Sequence, residues 1–149
     1  MVMTRALITA AALVLGQTVV VAGAADFRSA ADAAVILYDA PSVKARKLYI
    51  VNRGYPLEVV VQVEGWLKVR DAAGTLSWVE AKALDNARSV LLKAAATVRQ
   101  KPADDAPVAF EAQRDLLLEM VEGANAGWLH VRHRDGTAGY VRAVDVWGG

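Results

Sequence analysis

Histidine occurs twice in this 149-residue chain, as His130 and His133. Two imidazoles three positions apart invite a metal reading, because neutral imidazole is a common ligand for zinc and copper. In a β-strand, residues three apart point to opposite faces, so a shared ion would require the strand to twist or bulge. Asp135 is the one carboxylate beside them, and the chain has no cysteine to complete a site. Hydrolysis would need a nucleophile, a base within hydrogen-bond reach and an oxyanion site. Ser29, Ser42, Ser77 and Ser89 lie in loops or near strand ends without a nucleophile-elbow context, and no glycine-rich loop precedes a helix to hold phosphate. Neither a metal, a cofactor nor an enzymatic activity is expected.

The aromatic and arginine residues carry more. Trp66 and Trp128 stand outward by strand parity beside Lys68 and Arg70 in one place and His130 and Arg132 in the other. Trp78 and Tyr140 occupy corresponding later positions. A surface tryptophan flanked by a cation can anchor a partner, and an arginine fork can hold a carboxylate or phosphate. Trp66, Arg70, Trp78, Trp128, His130, Arg132 and Tyr140 are therefore the candidate ligand-binding set. Each tryptophan can equally cover an open end of its own domain, and each arginine can form local ion pairs on a solvated face. The basic loop of Lys44, Arg46, Lys47 and Arg53 has Asp39 and Glu58 close by in sequence and reads as an ordinary solvated loop.

The elements that position these residues come in two copies. Gly65 to Val79 against Gly127 to Val141 gives 8 identities in 15 positions at a constant offset of 62, where chance would give about one. In each copy a β-prone strand precedes the Gly-Trp pair: Leu57 to Val63, then Leu116 to Val121. Leu57, Val59, Val61 and Val63 fall on one face by alternation. Leu67 and Val69 point inward in the next strand. The turns at Asp71 to Gly74 and Arg134 to Thr137 suit antiparallel hairpins. Glu122 to Ala126 is about two residues longer than its counterpart, a divergence expected in a loop. Asp26 to Ala34 reads as a leader, whereas Val90-Leu91-Leu92 suits a short strand better than a flexible tether.

Composition narrows the partners. Beyond residue 25 the chain holds 16 Lys+Arg against 16 Asp+Glu, and this formal neutrality argues against nucleic acid, which needs a clustered basic excess. Arg5, an apolar run from Ala6 to Val21 and the small residues Ala22 to Ala24 form a secretory signal; an uncleaved membrane anchor is the alternative. Export to the periplasm or outside the cell follows. The expected division is a signal peptide over 1–24, one domain over 30–88 and a second over 94–149. Domains of about 60 residues without disulfides are marginal alone, so mutual packing or a homodimer is expected.

A proline turn at Pro41 or Pro102, a long strand, Gly-Trp-x-x-Val-Arg, a Gly-Thr turn, an aromatic-Val pair and a trailing Leu84 or Val146 follow in the same order twice. This pattern resembles the bacterial Src-homology-3-like (SH3b) domains in a tandem, exported form. The resemblance implies an all-β fold of two small, five-stranded, partly open β-barrels that bind a cell-wall peptide or an envelope protein without catalysis. Glu80 to Leu84 and Arg142 to Val146 replace the proline and tyrosine that follow the last strand in eukaryotic relatives, which argues against a polyproline-II ligand. A structural or scaffold role, by self-assembly or within an envelope complex, is the alternative.

Overall fold

The computed structural model describes residues 24–149. The expected signal segment therefore lies, save its last residue, outside the described residues. No helix among the described residues is long and apolar enough to cross a membrane. The protein is built from strands: β1 (Phe27–Ala30), β2 (Val35–Tyr38), β3 (Lys47–Val51), β4 (Pro56–Val63), β5 (Trp66–Arg70), β6 (Leu76–Glu80) and β7 (Leu84–Asp85) form one antiparallel sheet. The second sheet holds β8 (Ser89–Leu92), β9 (Ala96–Arg99), β10 (Val108–Ala112), β11 (Leu117–Asn125), β12 (Trp128–Arg132), β13 (Ala138–Arg142) and β14 (Val146–Trp147). A single 3-10 turn, Ala81–Ala83 or Ala143–Asp145, precedes the last strand of each.

The strand orders are β3-β2-β6-β5-β4-β1-β7 and β10-β9-β13-β12-β11-β8-β14, the same topology twice. Each copy has seven strands where five were expected, and no ladder joins its two edge strands into a closed barrel. The sheet nevertheless curls far enough for its ends to share a core. Val51 on edge strand β3 and Leu84 on edge strand β7 belong to one apolar cluster with Leu37, Leu57, Leu67, Val69 and Val79. Leu92, Val98, Leu118, Leu129, Val131, Val141 and Val146 repeat it. Side chains, not backbone hydrogen bonds, close each domain, and burial of these branched residues supplies most of its stability.

Two segments differ from their expected roles. Asp26 to Ala34 is no leader, because Phe27–Ala30 pairs with both β4 and β7. Its counterpart β8, which contains the Val90-Leu91-Leu92 patch, pairs with β11 and β14. Strict alternation also fails in β4. The register shifts between Val59 and Val61, so Leu57 is fully buried while Val61 and Val63 are 43% and 41% exposed. A bulge interrupts the alternation, and the outer half of β4 leaves the core on both faces while Leu67, opposite it on β5, stays buried.

The two sheets pack on each other. Phe27 meets Trp147 edge-on at 5.0 Å and 89°, and the Trp147 Nε1–H donates to the Pro56 carbonyl at 3.1 Å. The Arg88 guanidinium lies over Phe27 and donates to the Gly148 carbonyl at 2.7 Å. Ser29 and Ser89 hydroxyls, both buried, pair at 2.9 Å, and Ser89 also donates to the Gly54 carbonyl. Gly148 has φ +102°, and a Cβ there would meet the Ser89 carbonyl at 2.7 Å and the Pro56 Cβ at 2.8 Å. Glycine is thus required where the chain end threads between the repeats.

Candidate functional site

The arginines of the expected set are engaged within the fold. Glu58 and Arg70 face each other across β4 and β5 and pair at 2.6 Å. Glu119 and Arg132 occupy the equivalent register on β11 and β12, with Arg132 Nε and Nη2 donating to the two carboxylate oxygens at 3.1 and 2.7 Å. The Arg132 fork holds the Glu119 carboxyl below the usual carboxylate range. A bidentate fork already satisfied by a cross-strand carboxylate is not free to take a ligand.

The tryptophans diverge. Trp66 is half-buried, with Tyr38 edge-on at 5.4 Å. Trp128 faces outward by parity, as expected, but is 8% exposed, because the Arg142 guanidinium lies 4.5 Å from its ring centre and is held there by Asp104. This corrects the picture of an open tryptophan surface. Only an edge of Trp128 remains available, lining a cleft with His130 and Tyr140.

That cleft, about 250 Å³, gathers Trp128, His130 and Tyr140 with Pro102, Glu122 and Asn125. His130 and Tyr140 are directly paired on β12 and β13 and their rings stack at 4.6 Å and 11°. His130 Nδ1 is buried without a hydrogen-bond partner. Three of the seven candidate residues are thus brought together, while Arg132 points into its own ion pair. Trp78, the counterpart of Tyr140, instead carries the Lys68 ammonium 5.9 Å from its ring centre.

Glu122 and Asn125 were not candidates from sequence, and a bulge delivers them. Glu119 to Trp128 spans one residue more than Glu58 to Trp66, and the register shifts a second time between Glu122 and Asn125. The insertion is one residue, not about two. It sits inside β11, where a second bulge absorbs it, and not in a loop. Bulges re-aim side chains, and here the cleft rim is rebuilt from Glu122 to Ala126. The hairpin turn itself has Ala126 at φ 50° and Gly127 at φ 83°. Two successive positive φ angles define the tight turn that matches strand twist, and Ala126 adopts one without the freedom of glycine. The length difference between the repeats was the sequence signal for this rim.

His133 lies apart from His130. It contacts Phe110, with ring centres 5.9 Å apart, and its Nδ1 lies 3.1 Å from Asp135 in the β12–β13 turn. The corresponding pair in the first repeat is Tyr49 and Asp71, joined by a 2.8 Å hydrogen bond. Among the described residues no group of three or more His, Cys, Asp or Glu side chains gathers to hold a metal ion. A larger cleft of about 400 Å³ lies between the repeats, bordered by Tyr55, Leu91, Lys93 and Arg114. The Tyr55 hydroxyl there already accepts from the Ala72 amide.

These features define a duplicated all-β protein, two copies of one curled antiparallel domain, of which the second carries an open aromatic cleft. The chain belongs to the bacterial SH3 domain family, whose model matches residues 31–86 and again 93–148. Comparison with curated proteins gave no match. Among solved structures, the chain is similar to NlpC2 from Trichomonas vaginalis at 13% identity and TM-score 0.39, over 81% of this chain and 46% of that one. NlpC1 from the same organism gives 14% and 0.38, over 80% and 44%. An NlpC/P60 family protein from Bacillus cereus ATCC 10987 gives 15% and 0.38, over 82% and 56%. The chain spans about half the length of each of these proteins.

Proposed function

We propose that this protein is a non-catalytic binding module of the cell envelope that holds a segment of a cell-wall peptide or envelope protein in the cleft of its second repeat. The observation that carries this reading is the gathering of Trp128, His130 and Tyr140 around an open cleft. In the first repeat the corresponding Trp78 is already capped by Lys68. Aromatic walls with a few placed polar groups are the usual composition of a ligand site. Binding in preference to catalysis is supported by the serines: Ser29 and Ser89 bond to each other, and Ser77 is buried. Placement in the periplasm or outside the cell rests on the apolar N-terminal run from Ala6 to Val21.

Co-sedimentation with purified peptidoglycan tests the wall-peptide form, and capture of cross-linked envelope proteins tests the other. Wild type should be retained and Tyr140→Ala should lose most retention while unfolding at a similar urea concentration. Equal retention of both would overturn the assignment to this cleft. A scaffold role draws support from the exposed Val60, Val61 and Val63 on the outer β4 arm, and would show as a mass that grows with concentration in light scattering.

A further inference from the structure

The two repeats carry opposite charge at one register position, and the difference identifies the ligand chemistry. In the first repeat Val61 lies opposite Lys68, whose ammonium sits over the Trp78 ring. In the second, Glu122 lies opposite His130, which stacks on Tyr140. A built-in ammonium beside an apolar residue has become a carboxylate beside an imidazole. Among the described residues Glu122 makes no ion pair, and the nearby Arg132 and Arg142 are taken by Glu119 and Asp104.

Resting on the binding role proposed above, we propose that the cleft of the second repeat receives the side-chain ammonium of a lysine-type residue in a peptide. Glu122 supplies the charge, and the Trp128 edge, the His130–Tyr140 stack and Pro102 supply walls that accept both a cation and its methylene stem. The volume, about 250 Å³, is below the ~300–1,000 Å³ of sites that bury a drug-sized ligand. It suits one side chain better than an extended polymer. A side-chain source is favoured over a free N-terminus because the chain itself places a lysine ammonium, that of Lys68, on the corresponding aromatic ring. The first repeat supplies its own ammonium against that ring, whereas the second stacks the His130 imidazole there and leaves the Glu122 carboxylate for a partner's cation.

The test is an NMR titration of the protein with a short peptide, blocked at both ends, that carries one lysine and otherwise alanine. Shifts should be confined to Gly123, Ala126, the Trp128 indole and Tyr140. Acetylating the lysine ammonium should abolish them. Glu122→Gln, at an exposed position, should weaken binding about fivefold, the upper scale of one exposed ion pair. His130→Lys would install the first repeat's own cation and should abolish binding with little change in the urea midpoint. A free-amine alanine peptide that binds equally well would support the ammonium chemistry and move its source to an N-terminus. Equal affinity for the acetylated peptide, or for Glu122→Gln, would overturn the ammonium assignment and leave the binding role standing. Loss of peptidoglycan and envelope-protein retention in the separate Tyr140 experiment bears on that role alone.

Discussion

Replacing Trp147 by alanine removes the side chain that ties the end of the second sheet to the start of the first. Three contributions are lost. The edge-to-face contact with Phe27 is worth about 1 kcal/mol beyond its area, and the hydrogen bond to the Pro56 carbonyl about 1 kcal/mol. The ring is half-buried, and re-exposing roughly 100 Å² at about 25 cal/mol per Å² adds about 2 kcal/mol. Relaxation of the exposed chain end returns part of this, so the net loss should be about 3 kcal/mol. The larger consequence is for cooperativity, because these contacts bridge the repeats. Wild type should unfold in urea as one transition by both tryptophan fluorescence and far-ultraviolet dichroism, while Trp147→Ala should give two transitions that the probes weight differently. A double-mutant cycle with Phe27→Ala should return a coupling of about 1 kcal/mol. A single coincident transition in Trp147→Ala, with effects additive within about 0.3 kcal/mol, would refute the view that the repeats form one cooperative unit through this contact.

Two further outcomes test local features. Burial, with the Asp71 carboxylate adding to it, raises the Tyr49 phenol from 10.0 to about 12, so the folded state keeps its proton where the unfolded state loses it. The associated stability is complete below pH 10 and is lost as pH rises through about 12, and after allowance for solvent screening it amounts to about 1 kcal/mol. Urea midpoints should fall less steeply over that window in Tyr49→Phe than in wild type, and parallel curves would remove Tyr49 from the account. Ala126 holds φ 50°, a region that costs a non-glycine residue about 1 kcal/mol, so Ala126→Gly should raise the melting temperature by a few degrees; a lower value would show that the turn is not strained.

The duplication was legible because burial constrains residue type directly. Leu67 and Val69, with Leu129 and Val131, point inward by parity and are fully buried, and the Gly-Trp pairs open β5 and β12 after turns in which Gly65 and Gly127 hold positive φ. The strand β1 was missed because Phe27–Ala30 has a single large apolar residue, and its ladder partners lie more than 25 residues away in β4 and β7. Parity in β4 failed for a local reason, since a bulge leaves no mark in an unbroken run of valines. The candidate site was legible by residue type and wrong in emphasis. Arg70 and Arg132 stand out in sequence, yet their carboxylate partners, 12 and 13 residues upstream, become neighbours only once the hairpins pair.

The changes between the copies sort by whether a partner changed with them. Tyr49 and Asp71 became Phe110 and His133, a hydrogen bond exchanged for an aromatic contact at the same place in the core rim. Both members changed and the contact survived, which is how a packing position drifts without loss of the fold. Lys68 became His130 and Val61 became Glu122, and here the ring contact survives as the His130–Tyr140 stack while the new polar atoms gain no partner. The imidazole keeps a buried nitrogen without a partner, the carboxylate keeps none, and Ala126 holds a left-handed turn beside them. Buried polar groups left unpaired cost about 1–3 kcal/mol each, and strain of this kind collects at sites that act on something else. Beyond the His130–Tyr140 stack the fold of the second repeat gains nothing visible from the Glu122 carboxylate or the His130 Nδ1, which is the pattern the proposed ammonium site requires.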